Sequence, residues 1–197
     1  MPKRRVLIYC GIFDDELAQA LEPLREEYEI LSLRLKPGYH CLIEELEAQL
    51  EKALQSDLIR DKSEARLFIG SACLPNMKEF AARHGAKLLP TENCLTAMVG
   101  RAKLLELERN KTMVATPAWI RKMFLDAEGV MDFMRWDETD FRINFGRYER
   151  VLVLETTAYP SDEEILRTFE LFGGNAVIEP LPCSLDSFNE MVREFMA

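Results

Sequence analysis

Short apolar runs that read as strands alternate along this chain with amphipathic runs that read as helices. Such alternation implies an α/β fold: a largely parallel sheet with helices on both faces, because a chain returning to a parallel strand must cross over it. Four strand-to-helix junctions share one design: Tyr9-Cys10-Gly11, Tyr39-His40-Cys41, Ala72-Cys73-Leu74 and Asn93-Cys94-Leu95. In an open α/β sheet these junctions lie at the carboxyl edge of the strands, where ligands bind. Cys10, His40, Cys73 and Cys94 are therefore expected to converge on one soft-metal site.

In chain order, Arg5–Tyr9 is predicted as a buried first strand, followed by a helix with Leu17, Leu21 and Leu24 inward and Asp14 or Asp15 as its cap. Tyr28–Leu35 alternates as a strand, Pro37-Gly38 breaks it, and residues 42–58 have helical spacing with a glutamate-rich wet face. Arg66–Gly70 and Lys87–Leu89 are predicted strands around a helix opened by Pro75 and closed at His84-Gly85. His84 sits in a last helical turn and is not counted as a ligand. Asn93 or Thr91 can cap a long helix running to about residue 110. Beyond it, Thr112–Ala115, Arg150–Glu155 and Ala176–Glu179 read as strands, and Ser161–Phe172 and Leu185–Phe195 as helices. The aromatic and arginine-rich stretch Val130–Tyr148 reads as helix plus loop. Residues 1–115 read as an N-terminal lobe carrying the Cys/His site and residues 116–197 as a C-terminal α/β portion packed against it, or the two as one continuous domain. Cys41, Cys94 and Cys183 fall at similar places in three βαβα-like units, as a true repeat or as the ordinary self-similarity of α/β chains.

Composition removes several function classes. The chain has 197 residues, 48% of them hydrophobic, enough for one core or two small lobes. A formal net charge of −9 disfavours nucleic acid. No apolar run approaches the ~20 residues of a membrane span, and Pro2-Lys3-Arg4-Arg5 is followed by too few apolar residues for a signal peptide. A cytoplasmic location is expected. Five cysteines without a Cys-x-x-Cys pair exclude a zinc ribbon or ferredoxin pattern. Gly-x-Gly-x-x-Gly, Gly-x-x-x-x-Gly-Lys and Gly-x-Ser-x-Gly are absent as well.

Thiolates and neutral imidazole suit zinc, iron–sulfur clusters and other soft or borderline ions, and a helix N-terminus favours a thiolate. A set of Cys10, His40, Cys73 and Cys94 would complete a tetrahedral zinc site; three thiolates with an open fourth position would suit a catalytic zinc or a cluster iron. A lone cysteine is more often a small buried hydrophobe than a ligand, so their joint placement carries the reading. Cys41 can replace His40, Cys183 reads as structural, and a nucleophilic pair of Cys10 or Cys73 with His40 is a further option.

In Cys10-Gly11-Ile12, Pro37-Gly38-Tyr39-His40, Gly70-Ser71-Ala72-Cys73, Glu92-Asn93-Cys94-Leu95, Gly100 and Thr116-Pro117-Ala118-Trp119, the chain resembles a family catalogued as domain of unknown function 1638, found mainly in methanogens and other anaerobes. The likeness extends more loosely to Leu154-Glu155-Thr156 and Phe172-Gly173. It implies metal-ligating cysteines and histidine and a setting beside corrinoid methyltransferase systems. Asn93 replaces the family's usual aspartate, and Leu74 replaces its glycine. Three functions follow as expectations. The first is a metal-binding protein, with zinc holding a small-molecule thiol or serving a methyl donor, and Glu92 or Asn93 supporting the ligands. The second is an iron–sulfur protein with an open-site iron. The third is a non-catalytic accessory of a corrinoid protein, or a metal chaperone, docking through residues 130–148.

Overall fold

The computed structural model describes residues 2–197 and is α/β, with two all-parallel sheets. The chain folds as two compact units: residues up to 97 together with 186–197, and residues 98–185. The expected division lay near residue 115, with the last helix in the C-terminal portion. Instead that helix, α10 (Asp186–Met196), belongs with the first unit.

In the first unit the sheet order is β2-β1-β3-β4, formed by β1 (Lys3–Cys10), β2 (Tyr28–Leu35), β3 (Ala65–Phe68) and β4 (Lys87–Leu88). β1 is central because Val6, Leu7 and Ile8 can be buried on both faces, and all three are fully buried. Helices α1 (Asp14–Leu21), α2 (Ile43–Leu54) and α3 (Met77–Arg83) supply the crossovers. Leu46 and Leu50 of α2 and Met77 and Phe80 of α3 pack on Ile8 and Leu67. The opposite face is aromatic: Phe13 meets Phe68 edge-to-face at 4.9 Å, and Phe188 of α10 stacks on Phe13 at 6.0 Å. The end of α10 is tied down from the sheet. Buried Arg66 donates to the Phe195 carbonyl, Arg5 to those of Met196 and Ala197, and Lys87 to that of Glu194. Cations are favourable at a helix C-terminus, where the last carbonyls lack partners.

Helix α4 (Cys94–Val99) leads into α5 (Arg101–Leu107). The single long helix expected here is broken at Gly100, which takes a φ of 75°. The second unit has β5 (Thr112–Ala115), β6 (Arg150–Glu155) and β7 (Val177–Pro182) in sequential order. Thr116 caps the short α6 (Pro117–Trp119), which continues into a π-helical turn over Ile120–Leu125. Residues 130–148 form α7 (Val130–Met134) and α8 (Glu138–Phe145), the latter opened by an Asp137/Asp140 capping box. Of its aromatics Phe141 is core: it is buried and meets Phe124 and Phe172 edge-to-face, each at 5.3 Å. Helix α9 (Asp162–Leu171) carries the Ser161/Glu164 capping box. Among the described residues no helix is long and apolar enough to cross a membrane.

Candidate metal centre

Parallel strands place all their carboxyl ends on one edge. From β1 the chain moves to β2 on one side and then crosses to β3 on the other, so the topological switch point lies between β1 and β3. Cys10 is the last residue of β1, paired in register with Leu35 of β2, and Cys73 follows β3. These two cysteines therefore flank the switch point. Cys94 follows β4 as the first residue of α4, and His40 and Cys41 form the turn after β2 with Tyr39. Each of the four loops leaving this edge carries a cysteine or histidine, as the junctions predicted.

The loops after β3 and β4 are bonded into one structure. Ser71 N–H donates to the Thr91 carbonyl at 2.9 Å and Ala72 N–H to that of Glu92 at 2.8 Å. Gly70 lets this happen: a Cβ there would lie 2.2 Å from the Glu92 oxygen and 2.5 Å from the Asn93 Cα, both backbone. Cys73 N–H closes a turn on the Gly70 carbonyl at 3.1 Å. At Cys94 the start of α4 is fixed by Asn93, whose side chain accepts from Thr96 N–H at 2.8 Å while the Thr96 hydroxyl accepts from Asn93 N–H at 2.9 Å. This reciprocal pair holds the Cys94 backbone in place.

None of the five cysteines forms a disulfide. Burial pushes the Cys10 thiol up to about 12, and the charges that Cys94 and Cys73 would carry push it in the same direction. A backbone bond from Ile12 and the Arg34 guanidinium oppose them and are outweighed. Cys73 is likewise raised to about 12, first by burial, then by the field of Cys94, with Cys41 adding to it. Cys10, Cys73 and Cys94 thus lie within one another's electrostatic reach. The thiolate expected from helix N-termini is overturned at Cys10 and Cys73, because the cost of desolvating the charge exceeds the help from nearby amides. A thiol raised in this way is a poor nucleophile for a Cys–His pair, which needs a lowered thiol pKa. Although its surface is largely exposed, His40 is crowded enough that desolvation lowers its pKa.

In kind, three half-buried thiols, with that of Cys41 within electrostatic reach of Cys73, suit a soft or borderline ion. In placement, among the described residues no three or more His, Cys, Asp or Glu side chains are arranged as a ready ligand shell. His84, at the C-terminal end of α3, pairs with Glu51 at 3.1 Å. Cys183, in the second unit, contacts the Ser184 carbonyl. Asp14 does not cap α1, whose preceding residue is Phe13; it accepts from Arg34 Nε at 2.9 Å and shares its carboxylate with the Tyr9 hydroxyl. Arg34 and Tyr9 were missed by sequence reasoning. They are register neighbours at the ends of adjacent strands, and polar residues closing two apolar runs were the available signal.

The family described as "Protein of unknown function (DUF1638)" matches residues 34–191. No curated protein and no solved structure matches the chain.

Proposed function

The chain belongs to this family of unknown function, and for this member we propose a soft-metal-binding protein whose ion is taken by Cys10, Cys73 and Cys94. The supporting observation is that three loops from adjacent strands bring these thiols into mutual electrostatic reach at the β1/β3 switch point, sheltered and without a disulfide. Sheltered thiols are poor thiolates on their own, and a cation is the partner that makes their ionisation favourable. Zinc is the ion of choice for such donors in a tetrahedral shell. The turn after β2 supplies the fourth ligand. Cys41 is favoured over His40 there because the charge of Cys41 reaches Cys73, while the His40 shift is traced to burial. Two of the cysteines, Cys73 and Cys94, sit on loops whose backbones are already bonded together.

A bound ion with one exchangeable position would supply a Lewis-acid site for a substrate thiolate, the chemistry of thiol or methyl transfer. The chain's own part is to hold three sulfurs on its edge loops and to limit water through buried Leu35, in register with Cys10, and buried Leu74 and Leu95, next to Cys73 and Cys94 in the chain. An iron–sulfur cluster on the same three cysteines is the competing occupant. Elemental analysis and absorbance of protein purified without oxygen separate the two: about one zinc per chain and no colour, against iron, sulfide and a brown chromophore. The Cys73→Ala variant is expected to lose the ion while Cys183→Ala keeps it. Equal metal content in the two variants would reject the ligand set.

A further inference from the structure

Arg34 is an odd residue to find at this edge. It is the penultimate residue of β2, level with Tyr9 and one step from the Cys10–Leu35 pair. Its Nε is committed to Asp14, at 2.9 and 3.0 Å from the two carboxylate oxygens. The guanidinium lies against the backbone of Gly11, where a Cβ would stand 2.5 Å from its Cζ. Asp14, itself shared with Tyr9, holds the Nε side, and the side chain is 46% exposed. The guanidinium is thus held through Nε by Asp14 and over Gly11, on a half-exposed side chain. Two parallel N–H donors on a fixed planar fork match the two oxygens of a carboxylate or similar oxyanion. On a chain of net charge −9, anions approach best where a cation is displayed, and this one adjoins Cys10.

We propose that Arg34, laid over Gly11 and steadied by Asp14, is the anchor for the oxyanion of a small ligand bound at the carboxyl edge beside Cys10. With the metal-binding reading, on which the second half of this inference rests, the ligand class becomes an anionic thiol: the acid group on Arg34, the sulfur toward the ion. Arg34 is here a ligand-binding residue and takes no part in holding the metal.

Two measurements on the full chain separate the two claims. Metal-free, ¹⁵N-labelled protein titrated with propionate at low salt is expected to shift the amides of Cys10 and Gly11 in a saturable way, and 1-propanol is not. R34Q should abolish the shift. G11A, which keeps every charge but puts a methyl where the guanidinium lies, should weaken it. Absence of a propionate response in the wild type, or its survival in R34Q, overturns the anchor whatever the metal does. Cobalt(II)-loaded protein then reads the thiol through sulfur-to-cobalt absorbance. 3-Mercaptopropionate is expected to bind about tenfold more tightly than 3-mercapto-1-propanol, the scale of one charge-assisted hydrogen bond, and R34Q should equalise them. Equal binding in the wild type overturns the anionic-thiol class. Failure to take up cobalt at all rejects the metal reading and the anionic-thiol class together, and leaves the anchor to stand or fall on the propionate titration.

Discussion

Replacing Gly70 with alanine tests the geometry of the metal centre directly, because one added methyl group must separate two of the three cysteine loops. The new Cβ would meet three backbone atoms, the Glu92 oxygen at 2.2 Å, the Asn93 Cα at 2.5 Å and the Glu92 carbonyl carbon at 2.6 Å. No side-chain rotation relieves such contacts. Restoring ordinary separation, about 3.4 Å at the closest pair, requires the loops to part by about 1.2 Å. That displacement breaks the two bonds from Ser71 and Ala72 to Thr91 and Glu92, each contributing about 0.5–1.5 kcal/mol. Overpacking adds about 1–3 kcal/mol, so G70A should lose about 2–6 kcal/mol in denaturant unfolding. Metal–sulfur bonds tolerate only about 0.2 Å, so ion stoichiometry should fall well below one even where the chain stays folded. Gly85, with φ 65° and its closest neighbour, a Lys62 side-chain atom, at 3.3 Å, is the control. G85A carries the backbone strain of a left-handed alanine, about 1–2 kcal/mol, without touching the cysteine loops, and should bind metal normally. A G70A protein that keeps both wild-type stability and a full complement of metal would refute the placement of Cys73 and Cys94 on one bonded loop pair. So would metal loss of equal extent in G85A.

Metal uptake should release protons, since Cys10 and Cys73 are raised to about 12 and are fully protonated at neutral pH before the ion arrives. Titrating zinc into weakly buffered protein should free up to about four protons per ion, one for each thiol of the shell, and apparent affinity should rise steeply between about pH 6 and 8 and fall on acidification; a pH-independent affinity would mean that the thiols are not the ligands. Asn93→Ala removes the cap of α4 and should cost about 1 kcal/mol together with some metal affinity, whereas Asn93→Asp, which keeps an acceptor for Thr96 N–H, should retain both; calorimetric unfolding of the two variants distinguishes them.

Most of the sheet was legible because its strands are short apolar runs closed by turn residues. Val6-Leu7-Ile8 can only be a strand covered on both faces, and parallel strands bring their ends to one edge without further information. What the primary structure hides is whatever depends on distant neighbours. Asp14 is a plausible cap until Arg34, twenty residues away, claims it at the end of an adjacent strand. Residues 94–107 look like one helix until Gly100 turns the backbone. The apolar face of α10 announces that it must be buried, yet periodicity does not say against which sheet. Phe13, Phe68, Arg5 and Arg66 settle that question from more than a hundred residues away in the chain.

The thiols show the same division most sharply, and there it bears on function. A cysteine at the start of a helix invites the inference of a thiolate, since the local amides and dipole are visible in the sequence. Desolvation is not visible, because it comes from whatever packs around the sulfur: for Cys73, the cluster that contains Leu74, Met77 and Phe80. Burial wins at both Cys10 and Cys73, so the edge of this sheet presents protonated sulfurs that repel one another once ionised. A lone activated nucleophile needs the opposite arrangement. Three mutually repelling, sheltered thiols make chemical sense when something positive enters among them, and the cost of ionising them without it is what would make uptake selective for a cation that binds sulfur strongly.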